Sequence, residues 1–70
     1  MQVLGRRVGE EIFLIGYGEG SLRGFIYDLD SGVKYPDCNI QSVLLRGIWE
    51  KATPKEASDL LQVFSKGNDT

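Results

Sequence analysis

The chain has 70 residues, of which 41% are hydrophobic, with ten acidic and eight basic side chains and a formal charge of −2. A single cysteine and the absence of histidine exclude an internal disulfide framework, a multi-thiolate metal site and histidine-dependent nucleophilic catalysis. One domain of this size nets only about 3–5 kcal/mol from its core, and the apolar share is large enough to build one.

Gln2–Leu4 reads as a short strand, and Arg6-Arg7 as charged residues on a turn into the next one. Glu11–Ile15 (EIFLI) is β-branched and aromatic and apolar on both faces, so it belongs in the middle of a sheet or under a second chain. Gly16-Tyr17-Gly18-Glu19-Gly20-Ser21 is a permissive loop, with Tyr17 displayed on its tip. Leu22–Leu29 alternates with Phe25, Tyr27 and Leu29 on one face, and Gly24 inside it predicts a bulge or a close backbone approach. Asp30-Ser31-Gly32 is turn chemistry, so Val33–Tyr35 returns antiparallel to Phe25–Leu29 until Pro36 ends the strand.

Ile40–Arg46 (IQSVLLR) is expected to be another strand, with Gly47 separating it from Ile48-Trp49-Glu50. Trp49 is expected to anchor the core beneath the helix that follows. Thr53-Pro54-Lys55-Glu56 places a threonine N-cap, a first-turn proline and a glutamate three residues after the cap, which is a capping box. Ala57, Leu60, Leu61 and Phe64 then form one apolar stripe, predicting a helix over about 54–65 that stops at Gly67. These elements predict a single domain over 1–66 with a frayed tail at 67–70. It is mainly β with one C-terminal helix: a small SH3-like β-barrel, or a strongly curved antiparallel sheet closed by the amphipathic helix.

The opening, with Met1, Val3, Leu4, Arg6, Arg7, Val8, Gly9 and Glu10 followed by Ile12 and Leu14, resembles the carbon storage regulator family of bacterial messenger-RNA-binding proteins. The resemblance implies an RNA-binding role for Leu4 and Arg6, with Arg7 beside them. It ends at about Ile15. The family's glycine-asparagine turn, its valine-arginine-isoleucine-glycine strand and its later valine-histidine-arginine element have no counterpart here.

Other chemistry is weakly signalled. Gly16-x-Gly18-x-Gly20 lacks the following helix N-terminus and the lysine of a phosphate cradle. Asp28, Asp30, Asp37 and Asn39 lack the regular ligand spacing of a calcium loop and suit turns instead. Asp37 raises rather than lowers the barrier to a Cys38 thiolate, so Cys38 reads as a small, partly buried residue.

The expectation is therefore a non-enzymatic interaction module, needing no cofactor or metal, that docks on a protein partner. Tyr17, Arg23, Tyr35 and Trp49 are its candidate contacts, because aromatic and arginine side chains dominate interface energetics. The two-faced apolar segments Glu11–Ile15 and Val43–Leu45 point to a homo-oligomer. An accessory or inhibitor protein of a phage or mobile element fits such a module, and an RNA-binding post-transcriptional regulator is the second reading. Scattered charge without a polybasic tract disfavours nucleic acid. No apolar run approaches the roughly 20 residues that span a bilayer, and glutamates and glycines interrupt the run after the arginines, so no signal peptide is read. A cytoplasmic location with reduced Cys38 is expected.

Overall fold

A computed structural model of the chain describes residues 1–18, 20 and 22–68, the last four of these as helical backbone alone. Six strands and two helices follow one another as β1 (Gln2–Arg7), β2 (Ile12–Gly16), β3 (Arg23–Asp28), β4 (Val33–Lys34), β5 (Cys38–Asn39), α1 (Ile40–Leu45), β6 (Trp49–Glu50) and α2 (Pro54–Asn68). The strands form one antiparallel sheet in the order β4-β3-β2-β1-β6, with β5 sharing the β3 edge with β4. The sheet stays open, so the expected barrel does not form, and what stands is a small, mainly antiparallel sheet with a C-terminal helix. Two-residue strands at both edges offer too short a ladder to carry the sheet round to closure.

The EIFLI segment is central, as two apolar faces require. Phe13, Leu14 and Ile15 are all buried, with β1 on one side of β2 and β3 on the other. Phe13 and Ile15 face α2, and together with Phe25 and Leu60 they make the core, against which Val3, Tyr27, Ala52 and Phe64 pack. The Phe64 ring meets Phe25 edge-on at 5.4 Å and Tyr27 at 5.1 Å, geometries that favour contact between a ring edge and a ring face. The other face carries Leu14, Leu4 and Ile40, the latter two closing over Gly16. A register shift between Val3 and Gly5 is what lets both Val3 and Arg6 face α2.

The capping box is formed as expected. The Thr53 amide donates to Glu56 Oε1 at 3.0 Å, and Thr53 Oγ1 accepts from the Glu56 amide at 3.1 Å. The helix runs on through Gly67 to Asn68 rather than stopping at Gly67; Asp69 and Thr70, in the tail expected to fray, lie outside the described residues. Val33-Lys34 returns along β3 through a turn in which the Gly32 amide donates to the Asp28 carbonyl at 2.8 Å. Gly32 takes φ +75° there, a conformation nearly free for glycine and costly for other residues.

Three expectations are corrected. Ile40–Leu45 is a helix, not a strand: the Asn39 side chain accepts from the Ser42 amide at 3.1 Å and caps it. Ile40 and Val43 then share the face turned to the sheet, at helical spacing. Arg6 and Arg7 lie inside β1 rather than on a turn; the turn follows at Val8–Glu10, closed by the Glu10 amide donating to the Arg7 carbonyl at 3.1 Å. Trp49 is not beneath α2. It pairs with Arg7 in the β1–β6 ladder, and strand alternation puts both side chains on the opposite face.

Candidate functional site: the sheet face opposite α2

One face of the sheet is sealed by a fifteen-residue helix and the other is only partly covered by the six residues of α1. This inequality of cover creates the candidate site. Along the half that α1 leaves open, Ile12 from β2 and Ile26 from β3 form a floor, Trp49 of β6 and Tyr35 after β4 form the walls, and Arg7 reaches in from β1. These five residues line a cavity of about 290 Å³. A second cavity of about 170 Å³ adjoins it, lined by Arg7, Ile26, Val43, Arg46, Gly47 and Trp49. The two share Arg7, Ile26 and Trp49 and so make one groove.

Trp49 is held in place by its indole Nε1–H, which donates to the Val43 carbonyl at 3.1 Å. The same carbonyl accepts the Arg46 amide at 3.1 Å, so the end of α1 positions the groove's largest wall. Gly47 is confined here: a Cβ on it would stand 3.2 Å from Trp49 Nε1 and 3.7 Å from Arg7 Nε. Beyond the groove's end, the backbone joins Val8 to Ile48 (N–H to carbonyl, 3.0 Å). Ile48 at that junction is 77% exposed and Leu45, the last residue of α1, 88%, large apolar side chains that contribute nothing to the chain's own core.

Of the four sequence-derived contact candidates, the fold brings Tyr35 and Trp49 together and leaves the other two elsewhere. The Tyr17 hydroxyl donates to Asp37, and its ring lies 5.6 Å from that of Phe25, so it is exposed as expected but does not line the groove. Hydrogen bonding to Asp37, followed by partial desolvation, holds the Tyr17 phenol above its ordinary value. Arg23 stands at the far end of β3, opposite Asn39. Glu19 and Ser21 of the glycine loop lie outside the described residues.

The residues marked by the RNA-binding resemblance are separated in space. Arg6 faces α2 and is engaged by three carboxylates, Glu50 at 3.1 Å, Glu56 at 3.2 Å and Glu11 at 3.4 Å. The hydrogen bond to Glu50, with the fields of Glu56, Glu50 and Glu11, raises its already high pKa. Leu4 packs over Gly16 on the other face. Arg7 is the one that reaches the groove, with Glu10 3.4 Å from its Nε and both side chains about half exposed.

Sequence reasoning missed Ile12, Ile26 and Arg46 as groove residues and Leu45 and Ile48 as exposed apolar side chains. The signal for Leu45 and Arg46 was present: Asn39 is a preferred N-cap residue, and reading Ile40–Leu45 as a helix turns Leu45 outward.

Three of the four residues considered as cation ligands are in structural use. Asp28 accepts from the Asp30 and Ser31 amides, Asp37 holds Tyr17, and Asn39 caps α1. Among the described residues no three histidine, cysteine, aspartate or glutamate side chains gather as a metal site, and no helix is long and apolar enough to cross a membrane. Neither a protein-family model, nor a curated protein, nor a solved structure matches the chain.

Proposed function

We propose that this chain is a non-enzymatic binding module that docks on a protein partner through the sheet face opposite α2, in a cytoplasmic setting where Cys38 stays reduced. The observation that carries the reading is the groove walled by Trp49 and Tyr35, with the exposed Ile48 in a cavity that adjoins it at Arg7 and Gly47. Tryptophan, tyrosine and arginine are the side chains that supply most interface energy, and a contiguous apolar surface on a small chain marks a place of contact. The fixed indole of Trp49 reduces the ordering cost of association, because its rotamer is already chosen before a partner arrives.

The test is site-directed photo-cross-linking in an extract of the source cells. A cross-linking residue in place of Ile48 is expected to capture a discrete protein, and the same residue in place of Lys55, at the start of α2, is not. Protein and RNA fractions are analysed separately. Capture of RNA alone, or equal capture from both positions, overturns the reading. Capture of a second copy of the chain, with light scattering at twice 7.8 kDa, assigns the face to self-association.

A further inference from the structure

We infer that the groove takes an acidic, leucine- or phenylalanine-bearing segment of the partner, with a carboxylate between Arg7 and Arg46 and the neighbouring apolar side chain between Trp49 and Tyr35. This rests on the docking reading above. The first support is charge. Acids outnumber bases ten to eight in the chain, yet neither compartment of the groove is lined by an acidic side chain, and the smaller is lined by two arginines.

The carboxylates nearest the sheet are committed elsewhere. Glu11, Glu50 and Glu56 surround Arg6 on the α2 face, Asp59 lines a cleft on that same side, and Asp28 is occupied by turn amides. Glu10 pairs with Arg7 Nε at 3.4 Å from an adjoining cavity, in an exposed pair of the kind worth about 0–1 kcal/mol. A carboxylate entering between two guanidinium groups replaces that pair with stronger, charge-assisted hydrogen bonds.

The second support is shape. The groove has two lobes of about 170 and 290 Å³ that meet at Arg7, Ile26 and Trp49. They suit adjacent side chains of a polypeptide, one anionic and one apolar. Ile12, Ile26 and Val43 supply branched aliphatic contact where a nucleic-acid platform presents flat aromatic faces to successive bases.

The experiment uses Trp49, the only tryptophan in the chain, as its own reporter. A short blocked peptide alternating glutamate with leucine is titrated while selectively excited tryptophan emission is followed; the same peptide with glutamine for glutamate and a single-stranded RNA of mixed sequence are titrated in parallel. The glutamate peptide is expected to shift the emission saturably. Its affinity should fall roughly tenfold or more for Arg46→Ala, whose unchanged circular dichroism shows the fold retained, and a similar fall is expected for the glutamine peptide. No saturable response up to millimolar peptide overturns the inference. Equal binding of the glutamine peptide, or no effect of Arg46→Ala, also overturns it, while the docking reading stands if cross-linking at Ile48 still captures a protein. Saturable, Arg46-dependent binding of the RNA overturns the inference in favour of nucleic acid, and the docking reading with it.

Discussion

The guanidinium of Arg6 and the carboxylate of Glu56 meet at 3.2 Å across fifty residues of sequence, joining β1 to the first turn of α2. The same guanidinium holds Glu50 of β6 and Glu11 just before β2. One side chain thus connects four segments that no single backbone ladder unites. Arg6→Ala is expected to lower the melting temperature more than Arg7→Ala, whose single ion pair with Glu10 is more exposed. In a double-mutant cycle, Arg6→Ala and Glu56→Gln should be non-additive, because they remove a shared interaction. Additive losses in thermal denaturation would show that the two groups do not stabilise each other.

The ionisation of Glu56 should set part of the acid sensitivity of the fold. Hydrogen bonds from the Thr53 amide and then the Thr53 side chain, with the field of Arg6, hold its carboxyl below the ordinary 4.5. The unfolded chain therefore binds the proton more readily, so this stabilisation is complete above about 4.5 and is lost as pH falls through the lower folded value. Chemical denaturation at a series of acidic pH values should show the loss in the parent and a flatter profile in Glu56→Gln. Parallel profiles would remove Glu56 as the cause.

Closure of the core by α2 makes a graded prediction. Thr53→Ala removes the cap and should cost about 1 kcal/mol. Leu60, only 2% exposed within the core cluster, should cost about 2–5 kcal/mol as Leu60→Ala. By contrast, Leu45→Ser with Ile48→Ser should change stability by no more than about 0.5 kcal/mol, since both side chains lie outside the core. Denaturant midpoints order the three, and a Leu60→Ala midpoint equal to the parent's would show that α2 does not close the core.

Gly24 is demanded by space rather than by dihedral angle. A Cβ there would lie 2.2 Å from the Ile15 carbonyl oxygen and 3.1 Å from the Gly16 Cα, both backbone atoms of the paired strand. Gly24→Ala must push β2 and β3 apart and should cost at least the upper part of the about 1–3 kcal/mol typical of overpacking. Gly18→Ala, with nothing within 4 Å of its Cβ, is the matched control. Equal melting temperatures for the two variants would refute the close approach.

The carboxylates around Arg6 also bear on the RNA reading. A phosphate would have to displace three neighbouring anions, and Leu4 lies on the other face of the sheet from Arg6. No measurable affinity for a GGA-containing hairpin RNA is expected at physiological salt. Nanomolar, steeply salt-dependent binding that Arg6→Ala abolishes with the fold intact would make RNA regulation the function.

What the sequence determined was local or periodic. Thr53-Pro54-Lys55-Glu56 satisfies its own helix amides, Asp30-Ser31-Gly32 reverses the chain within hydrogen-bonding reach, and the doubly apolar EIFLI needs cover on both faces, at the centre of a sheet or under a second chain. The tight passage at Gly24 was legible for the same reason, since a glycine inside a strand pattern signals an approach that a side chain would block. Ile40–Arg46 was misread because a short apolar run carries both periodicities, and only the Asn39 cap, anchored by β5 against β3, chose the helix. Arg6 and Arg7 are adjacent and chemically identical, yet strand alternation sends one to the carboxylates beneath α2 and the other to the groove beside Trp49. That division depends on the β1–β2 register and on the placement of Glu50 and Glu56 far along the chain. It is a property of long-range pairing, which the tertiary structure alone decides.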